Sequence, residues 1–280
     1  MKYSLFSLLV ALLIVSGCQS KPDGVKKDAA ITKKVVKIET SKKKEASPEE
    51  ILEKPEVPVL CYHRIRNILP SDGSDMKTYS VTPVNFAQQM KTLSDNGFHT
   101  ILPNQLYEYL VYNKKLPSKP ILITFDDGRE EQYSLGATEM NKYGFKGVFF
   151  IMTVAMNRPG YLTKTDIKNL SVSGHCIGAH TWDHHAVTKY DDKDCAVQLI
   201  KPKNKLEVII GGQVNYFAYP FGVWNKASLP KIKNSGYQLA FILSNKRDLD
   251  NPLFTIRRLI VGGSMTSTEM LQAIQSTFKK

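Results

Sequence analysis

Apolar residues in this chain fall into short runs, separated by stretches of helical spacing. Residues 57–62 form one run of buried-strand character, and Ile121-Leu122-Ile123-Thr124-Phe125 forms a second, broken by Asp126-Asp127-Gly128. Phe86, Met90 and Leu93 repeat with helical period and end at Asn96-Gly97, a helix stop. A helix is predicted around residues 135–143, halting at Gly144, with a strand over 147–151. Residues 176–179, 216–219 and 239–243 read as further strands. A helical region over 192–210 should kink at Pro202. Thr266 and Glu269 make a capping box for a last helix that runs towards Phe278. This alternation predicts an α/β fold: a mainly parallel sheet or barrel with helices outside.

In such folds reactive residues collect at the carboxyl ends of strands. The notable polar residues here all follow strand-like runs: His63, Asp126 with Asp127, His180, and the Pro220-Phe221-Gly222 turn. Adjacent carboxylates repel unless a cation or hydrogen bonds compensate them, and Gly128 permits a tight turn that lets both face one pocket. Asp-Asp-Gly alone equally describes a surface turn. On one helical turn His180 and His184 share a face and can offer two imidazoles to one cation, with Asp127 completing a two-histidine, one-carboxylate set. A polar loop whose histidines meet solvent is the alternative, and His185 competes with His184 as ligand because a loop need not respect helical spacing. His99 and His175 are expected at the surface. Tyr219 and Phe221 read equally as core aromatics, and Trp182 and Trp224 either stack on a ligand or are buried.

Composition narrows the class. With 42% hydrophobic and 23% charged residues in 280, the chain can bury a full core, and four cysteines are too few for a disulfide scaffold. Cys61, Cys176 and Cys195 have no metal-type spacing, and a Cys176–Cys195 disulfide is left open. The apolar run over residues 5–15 is too short to span a bilayer and reads as a signal-peptide core over residues 1–17. Val15-Ser16-Gly17-Cys18 resembles the lipobox of bacterial lipoproteins, which implies a lipidated Cys18 and anchoring to a membrane of the cell envelope. Residues 19–56 hold ten lysines, eight acids and no aromatic residue, so 18–56 is expected to be a lipidated cysteine and flexible tether, with the folded domain at 57–280. The net charge of +12 is scattered across the chain, and no nucleic-acid-binding motif accompanies it.

Thr124-Phe125-Asp126-Asp127-Gly128, then His180-Thr181 with His184, then Tyr219-Pro220-Phe221-Gly222, in that order, resemble the motifs of the polysaccharide deacetylases, the NodB-type carbohydrate esterases. The resemblance covers residues 57–280. It implies a distorted (β/α)7-type barrel and metal-dependent hydrolysis of acetyl groups on a sugar polymer. It assigns Asp126 as general base, Asp127, His180 and His184 as metal ligands, Thr181 as a loop-fixing hydrogen-bonder, and the Phe221 N–H as an oxyanion donor. One divalent ion is implied, Zn2+ first, with Co2+, Ni2+ or Fe2+ as alternatives. Two features depart from the family pattern. Ala218 stands where many members have an arginine that holds the base, with Arg257 or Arg258 the candidates to replace it, and Leu259-Ile260-Val261-Gly262-Gly263 lacks the histidine of the usual late segment. Val59-Leu60-Cys61-Tyr62-His63 resembles that segment moved to the front, as in the circularly permuted subgroup acting on poly-β-1,6-N-acetylglucosamine, which makes His63 the expected general acid. Expected partners are a polysaccharide, the membrane and exopolysaccharide export machinery, and no nucleic acid. Peptidoglycan, chitin-like and xylan substrates, or a non-catalytic polysaccharide-binding lipoprotein, are the alternatives.

Overall fold

Eleven short strands alternate with helices over residues 44–243 and 246–278, the residues that the computed structural model describes. They are β1 (Val59–Tyr62), β2 (Arg64–Ile65), β3 (Ser80–Val81), β4 (His99–Thr100), β5 (Pro120–Phe125) and β6 (Val148–Ile151). After these come β7 (Cys176–Ala179), β8 (Tyr216–Ala218), β9 (Leu239–Ile242), β10 (Ile256–Arg257) and β11 (Leu259–Ile260). The main sheet runs β10-β9-β8-β7-β6-β5-β1-β11, with parallel pairing throughout; β4 adds to the start of β5, and β2 pairs β3 separately. Only Arg258 separates β10 from β11 in the chain, yet β10 pairs β9 at one edge of the sheet and β11 pairs β1 at the other. The two act as halves of one interrupted strand. That strand joins the edges into a nearly closed, seven-membered parallel barrel, the fold expected from the sequence.

Side-chain alternation divides the core in two. Leu60, Tyr62, Ile123, Phe125, Phe149, Ile177 and Phe217 pack in one cluster with helical residues such as Phe86, Met90, Leu93 and Leu170. Their alternates, Val59, Leu122, Val148, Phe150, Ala218, Leu239 and Phe241, form a second cluster that fills the barrel. Ile51, Leu106 and Leu110 join that second cluster. Gly178 shows how full the interior is: a Cβ there would lie 2.4 Å from Phe150 Cδ1. Each buried Phe or Leu contributes roughly 1.5–3 kcal/mol, so the barrel is a packed plug and not a pore.

Local signals explain the helices around it. Thr82 caps Pro83–Asp95 by accepting from the Asn85 N–H (3.1 Å), Pro83 starts the helix, and Asn96 with Gly97 (φ 71°) ends it. Thr266 and Glu269 form the expected box ahead of Ser267–Thr277. Near Pro202 the chain stays helical over 192–210, and a wider π-type turn, Cys195–Ile200, precedes the proline.

Two expectations, on the tether and on His175, are corrected, and the open question of a Cys176–Cys195 disulfide is answered. The tether does not reach residue 56. Ser47 caps the helix Pro48–Glu53, whose Ile51 is buried, and the Glu56 carboxylate pairs with Arg247 and Arg257. The lysine-rich composition hid one apolar anchor and one half-buried, arginine-paired carboxylate. Cys176 and Cys195 are both free thiols. His175 is buried, with its ring edge-on to Phe149 and its Nδ1 accepting from the Gly147 N–H (3.1 Å), whereas His99 is exposed as expected. The predicted signal peptide, the lipidation at Cys18 and the rest of the tether up to residue 43 lie outside the described residues. Among the described residues no helix is long and apolar enough to cross a membrane.

Burial lowers the His175 pKa from 6.5 to about 4. The unfolded chain therefore binds this proton more readily, so the neutral ring's stabilisation is complete above pH 6.5 and is lost as pH falls through about 4. His175→Asn keeps an acceptor for Gly147 but cannot titrate. Its Tm is expected to fall less than that of the parent between pH 6.5 and 4; parallel curves would refute this account.

Candidate active site

The inward-facing positions change from apolar to polar towards the carboxyl ends of the strands. Val59, Leu122, Val148 and Leu239 are followed by Cys61 and Thr124, and then by His63, Asp126 and His180 one step beyond β1, β5 and β7. His63, Asp126, Asp127, His180, His184 and Phe221 line one cavity of about 220 Å3. Residues 63, 126, 127, 180, 184 and 221, singled out from the sequence, are thus brought together.

Asp126 is buried. Both its oxygens are held by the Arg258 guanidinium, Nη1 to Oδ1 at 2.6 Å and Nη2 to Oδ2 at 2.8 Å. Burial alone would raise this carboxyl's pKa, but Arg258, then His180 and His63, outweigh it and hold the group well below the usual carboxylate range. Of the two arginines proposed for this place, Arg258 takes it. Arg257 faces the other way and pairs with Glu56. Ala218, also inward-facing and buried, leaves the interior open to the guanidinium, which lies over the Phe150 ring with its carbon 5.6 Å from the centroid.

Asp127 turns away from its neighbour through left-handed backbone (φ 76°), followed by Gly128 (φ 71°). Its Oδ1 lies 3.6 Å from both His180 Nε2 and His184 Nε2. His180 Nδ1 is 2.8 Å from the Ala218 carbonyl, so it carries the proton and leaves the Nε2 lone pair pointing at the site. Burial, and then His180, lower the His184 pKa to about 4, which keeps that ring a neutral donor. Two imidazole nitrogens and a carboxylate oxygen, all within 4.8 Å of one another, fit a divalent ion of the zinc type. Cys61, His63 and Asp126 form a second such group, but there both carboxylate oxygens already serve Arg258.

His180 and His184 are brought together by another route than the helical turn expected. Residues 181–185 are not helical; Thr181 (φ 65°) and His184 (φ 71°) bend the loop, and Thr181 Oγ1 accepts from the His184 N–H (2.9 Å) as expected. His185 points away, its side chain 75% exposed and its Nδ1 2.8 Å from Asp183. His63 Nε2 lies 3.9 Å from Asp126 Oδ2, with its ring against Tyr79. Burial lowers the His63 pKa and the two aspartates oppose that shift. The Pro220–Gly222 turn bonds through the amides of Gly222 and Val223, which leaves the Phe221 N–H out of its own bonding. Trp182 and Trp224 line neither this cavity nor the one beside it, whereas the exposed rings of Tyr79 and Phe221 do line the first.

Sequence reasoning missed Gln132. It is wholly buried, and its Nε2 donates to the carbonyls of His63 (2.6 Å) and Asp126 (2.5 Å), tying the end of β1 to the end of β5. It sits in a π-type turn, Gln132–Ala137, among polar neighbours, and nothing in its spacing marks it. Cys61 was likewise passed over; its thiol lies 3.6 Å from Asp126 Oδ2.

The barrel thus places an imidazole pair and one aspartate, a set that could hold a metal ion, beside a second, arginine-clamped aspartate. Residues 113–240 match the polysaccharide deacetylase family. YxkH of Bacillus subtilis, a polysaccharide deacetylase by name, is 27% identical over 87% of this chain and 85% of its own length. The poly-β-1,6-N-acetyl-D-glucosamine N-deacetylase of Staphylococcus aureus is 29% identical over 67% of this chain and 72% of its own. The solved structure of the deacetylase PplD of Streptococcus pyogenes, in complex with acetate, shares the fold with a TM-score of 0.72 at 22% identity, over 81% of this chain and 100% of that one. Residues 113–240 thus carry a polysaccharide deacetylase domain of the NodB type, and the homologues of this enzyme are polysaccharide deacetylases.

Arg258→Met would leave Asp126 buried and unpaired, an expected loss of about 3–5 kcal/mol in denaturant unfolding. Arg258→Lys, with the charge but not the fork, should recover only part of it. A methionine variant as stable as the parent would show that the pair contributes nothing.

Proposed function

We propose that this enzyme removes N-acetyl groups from N-acetylglucosamine units of a cell-envelope or exported polysaccharide, poly-β-1,6-N-acetylglucosamine being the favoured polymer. The observation that carries this reading is His63 at the end of the first barrel strand, facing Asp126 across the same cavity. The staphylococcal relative, named for that substrate, adds to it. Asp127, His180 and His184 are the residues that would hold the ion, zinc by preference among several that such a set accepts. When bound, the ion supplies a water of lowered pKa and polarises the acetyl carbonyl.

The residues of the chain do the rest. Asp126, ionised and immobilised by Arg258, takes the proton from the attacking water. The same clamp makes it a poor holder of that proton, so the proton is passed on. His63 is the group that delivers it to the departing amine, leaving acetate and a free amino sugar. The Phe221 N–H is suited to donate to the oxygen that becomes negative as the carbonyl is attacked. A lipid on Cys18 would keep the domain at a membrane surface, where an exported polymer passes; that part of the proposal rests on the leader sequence alone.

Acetate and amine release from poly-β-1,6-N-acetylglucosamine, read together with metal content, tests the assignment. Asp126→Asn is expected to lose about 100-fold or more in kcat while retaining the ion. His180→Ala is expected to lose the ion itself, and His63→Ala to lose rate with the ion in place. A chelator-stripped enzyme as fast as the loaded one would overturn the ligand assignment. Acetate release from peptidoglycan, chitin oligomers or acetylated xylan, but not from this polymer, would overturn the substrate.

A further inference from the structure

Cys61 takes no part in the proposed reaction, yet its thiol meets both groups that handle protons there. Residues 61 and 63 stand two positions apart at the end of β1, so both side chains face the same way. Cys61 Sγ lies 3.9 Å from His63 Nδ1 and 3.6 Å from Asp126 Oδ2, and His63 Nε2 lies 3.9 Å from the same oxygen. A tetrahedral ion bound to one sulfur, one nitrogen and one oxygen spaces those donors roughly 3.4–3.6 Å apart, so small shifts would seat one. Arg258 occupies one lone pair on each Asp126 oxygen, but a carboxylate oxygen has two, and the Cys61 thiol already donates to Oδ2. His63 and Asp126 line the catalytic cavity, which gives an ion a way in, and wholly buried Cys61 lies behind them. The group shares no residue with Asp127, His180 and His184, although Asp126 Oδ2 is 4.0 Å from His180 Nε2.

We infer that Cys61, His63 and Asp126 form a second, inhibitory site for a thiophilic divalent ion. The inhibition rests on the deacetylase reading; the binding does not. Sulfur sets the preference, Zn2+ or Cd2+ ahead of Mg2+ or Mn2+. Burial raises the Cys61 pKa, with Arg258 opposing and Asp126 adding, so an entering ion must displace the thiol proton to water. That cost, and repulsion from the Arg258 charge, make this site the weaker of the two. An ion here takes the lone pairs with which Asp126 accepts the proton and His63 passes it on. Turnover therefore rises as the first site fills and falls as the second does.

The test is a Cd2+ titration of the full chain, read by bound metal and by the ultraviolet thiolate-to-cadmium charge-transfer band. Acetate release from poly-β-1,6-N-acetylglucosamine is followed over the same range of Zn2+. Wild type should bind a second equivalent, the band growing over that step, and its turnover should fall about 100-fold or more, the size of lost acid–base catalysis. Cys61→Val, which fills the buried space without a donor, should bind one equivalent, show no band and hold its rate; Cys61→Ser replaces it if the valine variant does not fold. A single equivalent in wild type, a band that survives loss of Cys61, or equal inhibition of parent and variant overturns the site. A Cys61-dependent second equivalent that leaves turnover intact overturns the inhibition. If no acetylated polymer is turned over at any metal loading, the deacetylase reading fails, and the Cys61-dependent band still decides the site.

Discussion

The buried pair between Arg258 and Asp126 is the constraint on which the rest of this molecule depends. Arg258 is the single residue between the two half-strands that join the sheet's edges, and Asp126 is the first residue beyond β5. Their two hydrogen bonds at 2.6 and 2.8 Å tie the closing seam to the catalytic strand. Each charge would be costly to bury alone, so neither side chain can leave without stranding the other. Closure of the barrel and ionisation of Asp126 are therefore coupled through one contact.

The layering of the interior explains why a single cavity forms above it. Phe150, fitted against Gly178, fills the barrel at mid-height and supports the guanidinium from below. The polar side chains at the cavity are each oriented by something else: Asp126 by Arg258, His180 by the Ala218 carbonyl, His184 by Thr181, and the backbone of His63 and Asp126 by Gln132. Support of this kind lets four titratable side chains stand close together without collapsing into mutual pairs. Positive φ at Asp127, Thr181, His184 and Phe221 places strained backbone at the site and not at random.

Several parts of this arrangement are written in short-range chemistry. Continuous apolar runs located β1, β5, β6, β7, β8 and β9, since a strand buried on both faces has little choice of residue. The order of the Asp-Asp-Gly, His-Thr and Pro-Phe-Gly motifs placed five of the cavity's side chains in one family pattern. Missed features share a cause: Gln132, Cys61 and the buried His175 carry no periodic signal, and their roles come from partners 6 to 69 positions away along the chain. The helix Pro48–Glu53 escaped for the opposite reason, because its lysine- and glutamate-rich surroundings outweighed a single buried Ile51.

The sequence by itself determined the fold class, the reactive residue types and their order, because strand burial, turn chemistry and motif spacing are local properties. Only the tertiary structure decided between His184 and His185, between Arg257 and Arg258, and whether the Cys61 thiol meets His63 and Asp126. Each of those choices depends on which way a side chain faces once a loop bends through left-handed backbone or a strand closes a barrel. Such facing is settled by contacts between residues up to 201 positions apart, and no local pattern records it.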